Sequence, residues 1–233
     1  MDLYVLVNLG IVAGPLALSF DRKVAYYRKW VPLAATILPV SAAYIAWDIF
    51  ATGRGHWWFN EAYAGEPVLL GLPVGEVLFF FTVPYACLFI YEVVRAYFPR
   101  RMAPVVFPVR AIAFSVAAAL LAVALLFRDR DYTVLALSSV AALLVLAALL
   151  DPAMLRSSHA GLFMLLSYVP FLIANGILTS VPIVGYNPGA IWGPRLFSIP
   201  LEDFFYNFGM LGFYLLVYRR MVGRWAGERG GRR

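Results

Sequence analysis

Apolar runs long enough to cross a bilayer alternate along this chain with short stretches that carry most of its charge. The runs fall at roughly 3–20, 31–50, 73–98, 109–127, 132–150, 159–180 and 200–222, each near the ~20 residues a transmembrane helix needs. In hydrocarbon a backbone must satisfy its own hydrogen bonds, and a helix does so within one segment. The expected fold class is therefore all-α, a polytopic membrane bundle of about seven helices. The fourth and fifth runs are separated only by Arg128-Asp129-Arg130-Asp131, which leaves room for nothing but a tight helical hairpin. Met1-Asp2 supplies no basic stretch ahead of the first run, so that run reads as a retained helix and not as a cleaved signal.

The polar positions inside this pattern repeat. Two segments start with proline, then acid, then aromatics: Pro73-Val74-Gly75-Glu76-Val77-Leu78-Phe79-Phe80-Phe81 and Pro200-Leu201-Glu202-Asp203-Phe204-Phe205-Tyr206-Asn207-Phe208. They lie 127 positions apart, and the same offset carries Asp48 onto Asn175, Asn60 onto Asn187 and Tyr91 onto Tyr218. The match covers segments two and three against six and seven. Segment one matches five only loosely. The expected organisation is a first unit at 1–98, a spacer helix with its loops at 99–131, a second unit at 132–222 and a basic tail at 223–233. An odd spacer helix lets both units enter the membrane in the same sense, as a parallel repeat about an axis along the membrane normal. Both acidic openings then share one side, with Asp48 and Asn175 at the same level.

Composition supports the membrane reading. Of 233 residues 63% are hydrophobic and 14% charged, against about 25% charge in soluble domains. Lys and Arg are unevenly placed: fifteen fall in one set of connections and the tail, and four (Arg54, Arg128, Arg130 and Arg195) in the other. By the bias of cations toward the cytoplasm, the N-terminus is expected outside and the C-terminus in the cytoplasm of a multi-pass cell-membrane protein. The net charge of +6 reflects this bias; there is no soluble basic domain to bind nucleic acid. The tail suits anionic lipid, and the six Trp fall near segment ends, as interface anchors do. Cys87 is alone, so neither an intrachain disulfide nor a thiolate metal cluster is available.

Carboxyls beside so many aromatics are the candidate chemistry. Acids at a helix start are favoured by the dipole, by roughly 0.3–1 kcal/mol, which suffices to explain either motif alone. An ionised carboxylate in hydrocarbon costs more, about 2.5–3.5 kcal/mol at mid-membrane. A carboxyl facing the bundle interior therefore favours the form that keeps its proton, which a general acid requires. Glu202 and Asp203 are adjacent and point about 100° apart; i+4 spacing pairs Asp203 with Asn207 and Glu202 with Tyr206. Glu76 falls at the Asp203 position of the repeat and Gly75 at the Glu202 position.

Trp47-Asp48, Trp57-Trp58-Phe59-Asn60, Gly71-Leu72-Pro73 with Glu76, Pro84-Tyr85-Ala86 and Tyr91-Glu92 resemble the first half of the integral-membrane lycopene β-cyclase domain. Ile199 through Phe208 resembles the matching signature of the second half, so the resemblance spans essentially the whole chain, in its tandem fused form. Gly75 departs from it, because the family's first-half motif often carries two acids. The resemblance implies a redox-neutral reaction on lycopene. An acid protonates the terminal double bond of a linear end group, the cation closes to a six-membered ring, and a base removes a proton. Glu202, Asp203 and Glu76 are the implied catalytic acids; Asp48, Asn175, Asn60, Asn187, Asn207 and Tyr206 are supporting polar groups. Phe79, Phe80 and Phe208 are candidate aromatic faces for a cation. No cofactor and no metal is expected, and in particular no flavin, since no Gly-x-Gly-x-x-Gly follows a strand. The expected partners are the polyene, membrane lipid and other membrane enzymes of carotenoid synthesis.

Other classes fit less well. A retinal protein needs a buried Schiff-base lysine, and Lys23 and Lys29 share one loop. A membrane prenyltransferase needs clustered Asp for Mg²⁺, whereas Asp129 and Asp131 stand without a partner cluster. His56 and His159 sit at opposite ends and read as interface residues. An end-group hydratase and a non-catalytic carotenoid-binding or transport protein remain as alternatives.

Overall fold

The computed structural model describes residues 2–98 and 108–230, with side chains as far as residue 227. Arg100, Arg101, Arg232 and Arg233, and the side chain of Arg229, all counted above among the cytoplasmic cations, lie outside what is described. In chain order the elements are α1 (Leu3–Leu18), α2 (Trp30–Gly53), β1 (Trp57–Phe59), the single turn α3 (Glu61–Ala64), β2 (Pro67–Leu69), β3 (Leu72–Pro73), α4 (Val74–Tyr97), α5 (Val109–Leu126) and α6 (Asp131–Leu150). There follow the turn α7 (Pro152–Leu155), α8 (Ser158–Ser180), β4 (Val184–Tyr186), β5 (Arg195–Leu196), β6 (Ile199–Pro200) and α9 (Leu201–Gly230). The molecule is an all-α bundle, with three small two-stranded ribbons among the described residues.

Among the described residues, five segments are long and apolar enough to cross a membrane: Tyr26–Gly53, Val74–Tyr97, Val109–Leu126, Asp131–Leu150 and Ser158–Ser180. Helix α1 is apolar but only 16 residues long, and α9, with 30, opens on two acids and closes in a basic run. Seven long helices are therefore present among the described residues, while length and composition establish five spans and not the seven expected. Proline also sits one step earlier than the first helical position. Pro73 is extended and ends β3, and Pro200 ends β6. A ring without an N–H is well placed where a strand hands over to a helix.

An offset of 127 relates the ribbons as well as the helices. Strand β1 pairs antiparallel with β4, its own counterpart, in the register Trp57↔Tyr186, Trp58↔Gly185 and Phe59↔Val184. Flanking bonds obey the same exchange: Asn60 N–H to Ile183 O at 2.9 Å and Asn187 N–H to His56 O at 3.0 Å. A local two-fold axis thus passes between Trp58 and Gly185, where the Trp58 indole lies in the space a side chain on Gly185 would need.

The helices interlock in the same way. Helix α1 packs on α4, and α6 on α9; α2 packs on α9 as well as α4, and α8 on α4 as well as α9. Within the buried core Ser41 Oγ on α2 and Tyr214 Oη on α9 both donate to the Phe80 carbonyl of α4, at 2.6 and 3.0 Å. At the far end of α4, Glu92 is 2% exposed, is ion-paired with Lys29, and accepts from Tyr218 Oη at 2.9 Å. Nearby Arg219 joins α9 to the Asp151 carboxylate at 2.7 Å and to Tyr91 Oη at 3.0 Å. Glu92→Leu strands Lys29 and the Tyr218 hydroxyl without their acceptor, and is expected to cost about 2–3 kcal/mol. A lowered thermal unfolding midpoint in detergent checks this, and an unchanged midpoint would mean that the cluster adds nothing to stability.

Candidate active site

The two acidic openings meet in one cavity. Its walls come from both units: Glu76 and Phe79 from α4, Asp203, Tyr206, Asn207 and Met210 from α9, Asn175 and Phe171 from α8, and Tyr4 and Tyr132 from α1 and α6. The paired strands β1 and β4 close it with Trp57, Phe59, Val184 and Tyr186. The cavity is narrow, with a volume of about 60 Å³, well below the roughly 300–1,000 Å³ of small-molecule sites. Its surface is mostly aromatic, with Leu178, Val184 and Met210, two carboxyls and two amides making up the rest.

Those carboxyls have different partners. Asp203, 3% exposed, accepts three hydrogen bonds from neutral donors. Tyr132 Oη reaches Oδ1 at 2.7 Å, while Tyr186 Oη and Asn175 Nδ2 reach Oδ2, each at 2.7 Å. Three separate elements thus aim donors at one side chain. Burial, and the Asp203 carboxyl beside it, push the Tyr186 phenol well above its ordinary range, so Tyr186 keeps its proton and stays a donor.

Glu76, 8% exposed, accepts from Tyr4 Oη at 2.5 Å and meets the Asp48 carboxyl side chain to side chain. Asp48 is fixed through Oδ1, which takes Trp57 Nε1–H at 2.8 Å and Thr52 Oγ at 3.4 Å. Its other oxygen has no donor among the described residues and is free for Glu76. Two carboxylates are both acceptors, so contact between them requires a proton on one of them.

Glu202 lies apart from this cavity. Its Oε1 accepts from Thr133 Oγ and the Trp192 N–H, both at 2.6 Å, and it lines a separate apolar pocket with Phe127, Thr133, Trp192 and Phe205. Tyr206 does not share that face, as i+4 spacing from Glu202 suggested. It is three residues after Asp203, which puts it on the Asp203 side of the helix, and its ring meets Tyr44, Trp47 and Tyr132 at 5.7, 5.8 and 6.3 Å. Asn207 also lines the cavity, and its Nδ2 is buried with no acceptor among the described residues. Asn60 and Asn187 are turn formers. Their side-chain Oδ1 atoms accept from Ala62 N–H at 3.1 Å and Gly189 N–H at 2.8 Å. Of the three phenylalanines, Phe79 lines the cavity, Phe80 stacks on Tyr44 in the core, and Phe208 packs against that core from outside.

Tyr4, Tyr132, Tyr186 and Trp57 are the site residues that sequence reasoning missed. Tyr4 and Tyr132 are the second residues of α1 and α6 and play equivalent parts, but they lie 128 positions apart, not 127. One slipped position hid the correspondence. The absence of a second acid beside Glu76 also has a cause. A Cβ on Gly75 would sit 2.5 Å from Tyr4 Cγ, and Asn8 Nδ2 donates to the Gly75 carbonyl at 2.8 Å. Glycine there allows α1 to approach α4 closely enough for Tyr4 to reach Glu76.

Among the described residues no group of three or more His, Cys, Asp or Glu side chains could hold a metal ion. Compared with known families, the chain matches the model described as lycopene cyclase over residues 1–94 and 129–221. Comparison with curated proteins and with solved structures finds no match.

Gly75→Ala is expected to push α1 away from α4 and to lower stability by about 1–3 kcal/mol, whereas Tyr4→Phe, which removes only the hydroxyl, should cost about 1 kcal/mol. Thermal unfolding of the two variants side by side checks the order. Equal midpoints would show that the close approach at Gly75 is not required.

Proposed function

The chain belongs to the lycopene cyclase family, and on that premise we propose that it closes the linear ψ-end groups of lycopene into β-rings, giving γ-carotene and β-carotene. A carotenoid cyclase acting on a C40 polyene is what the family supplies; the ring type and the mechanism are our reading. The observation that carries it is the unequal pair of buried acids in one aromatic cavity.

The Asp48–Glu76 contact holds a proton between two carboxyls, and Glu76 is the member in the cavity wall. Glu76 delivers that proton to the terminal alkene of the end group, forming a new C–H bond and a tertiary cation. The neighbouring double bond attacks the cation and closes the six-membered ring. Asp203 already satisfies three donors as an ionised acceptor, and it takes the proton whose loss restores the alkene. One proton enters and one leaves, with no net change of oxidation state. Ring faces of Tyr206, Phe79, Trp57 and Phe59 lie around the cavity; a cation near such faces gains about 0.5–2 kcal/mol each. Aromatic walls also leave little space for water, which favours proton loss over hydration.

Glu202 takes a positioning part in this scheme, tying the Trp192 loop and α6 to the start of α9. The units at 1–98 and 132–222, the spacer at 99–131 and the tail at 223–233 are read as a tandem duplication. The uneven distribution of cations supports an outward-facing acidic end in the cell membrane.

Pigment analysis in a lycopene-accumulating host is the direct test, with γ-carotene or β-carotene expected; recovery of lycopene alone, with the protein in the membrane, would overturn the reading. Glu76→Gln should leave lycopene unreacted, with a loss of about 10²-fold or more. Asp203→Asn, with the donor intact, should form the cation but lose the normal proton acceptor, so that β-ring yield falls about as far and any residual product shifts toward isomeric or hydrated rings. Glu202→Gln retains an acceptor for Thr133 and Trp192 and should keep most of the activity. A dead Glu202→Gln beside an active Asp203→Asn would reverse the assignment.

A further inference from the structure

Next to each acidic opening the chain makes a short hairpin whose tip breaks the residue rules for its turn. In the first, Leu69 pairs with Leu72 across Leu70-Gly71, with φ of 45° and 96°. Positive φ at both central residues is the type I′ pattern, which favours Asn-Gly, yet Leu stands first. In the second, Leu196 pairs with Ile199 across Phe197-Ser198, and Phe197 has φ 56°. That position favours Gly, and Phe occupies it. The two tips are equivalent at offset 127. A bulky side chain in the left-handed region is an outlier wherever it occurs, and here it occurs twice at the same place in the repeat.

Neither side chain has a packing reason to be there. Leu70 is 75% exposed and Phe197 87%. Around them Val68, Leu69, Leu196, Trp192 and Trp58 are also exposed. In water such a pair of apolar tips would be a liability. Their position gives them another neighbour. Helix α4 begins one residue after β3 and has 24 residues, about 36 Å at 1.5 Å per residue. This exceeds the ~30 Å hydrocarbon core, so a spanning α4 reaches the interfacial layers at its ends, and the hairpins adjoin its acidic end.

The first hairpin also borders a second pocket. Pro67, Gly71 and Pro73 line a pocket of about 260 Å³ with Trp57 and Phe59, and these two aromatics are walls of the central cavity as well. On the second hairpin's side the pocket behind Trp192 shares no residue with that cavity.

We propose that Leu70 and Phe197 are lipid-inserted tips that seat the acidic end in the bilayer interface, and that the first hairpin is the entrance through which a polyene end group passes from hydrocarbon, between Trp57 and Phe59, to Glu76. The occupant of this surface is lipid acyl chain, and the passing ligand is a long apolar polyene. The entrance rests on the cyclase reading; the insertion does not.

The test uses the full chain in phosphatidylcholine vesicles. Leu70→Cys and Phe197→Cys, each with buried Cys87 replaced by Ala, carry an environment-sensitive fluorophore, with Asp129→Cys in the exposed turn between α5 and α6 as an aqueous reference. Both tips should be quenched by spin-labelled acyl chains and shielded from iodide, and the reference should behave in the opposite way. Iodide access at the tips equal to the reference would overturn insertion. Leu70→Asn and Phe197→Gly then place residues suited to the left-handed backbone at the tips, so thermal midpoints should hold or rise. For Leu70→Asn the KM for vesicle-borne lycopene should rise roughly ten-fold, with kcat within about two-fold of the parent. An unchanged KM would overturn the entrance even where both labels are inserted. A parent protein that inserts its tips yet leaves lycopene unchanged would count against the cyclase reading alone.

Discussion

A carboxyl group removed from water must find its hydrogen bonds inside the protein, and the acidic end of this molecule is arranged around that need. Asp203 draws a donor from each of α6, α8 and β4; Glu76 draws one from α1 and faces a second carboxyl from α2. The β1–β4 pairing brings those donors together: it places Tyr186 beside Asp203 and Trp57 against Asp48. Helices packed by apolar contacts alone would be free to slide relative to one another, because lipid is as apolar as their side chains. Buried polar contacts with one satisfying geometry set the register. The same logic holds at the other end of α4, where Glu92 is satisfied by groups from two other elements.

The offset of 127 sets two acids of different surroundings in one cavity. The two units present the same scaffold, namely a tyrosine near the start of the first helix, a polar residue late in the second, and an acid in the first turn of the third. The only chemical difference at the second position is Asp48 against Asn175. An amide offers Asp203 a donor and leaves it an acceptor. A carboxyl offers Glu76 no donor unless a proton is shared. A single exchange of oxygen for nitrogen therefore gives the two acids different hydrogen-bond partners, and both line one cavity.

Much of this was legible in the sequence and some was not, for identifiable reasons. Hydrophobic run length gave six of the seven long helices within about three residues, because hydrocarbon imposes a length, whereas α9 runs on to Gly230 through the segment expected as a basic tail. Offset 127 exposed Asp48, Asn175, Glu76 and Asp203 together, since polar residues stand out against an apolar background. It could not show that Asn60 and Asn187 are spent on turns, because Asn serves turns and sites equally well. Tyr4, Tyr132 and Tyr186 escaped notice because tyrosine is common in this chain and a membrane tyrosine is ordinarily an interface anchor. Glu202 lines a different pocket from Asp203. Adjacency to Asp203 reads as cooperation in one dimension, whereas 100° of helix rotation sends the two side chains to different pockets.

The hairpins follow the same offset, but there the constraint is imposed from outside the protein. Inside the cavity the two units diverged in what they touch. At Leu70 and Phe197 they kept one property, an exposed apolar side chain, although the residues differ and neither suits its turn. Retaining a strained backbone under two different residues makes sense only when the side chain meets something that rewards it. The environment common to both tips is the membrane interface. A site built from buried carboxyls can work on a polyene only if the polyene reaches it without the carboxyls reaching water. An entrance formed in lipid, and walled by the aromatics that also line the cavity, meets both conditions.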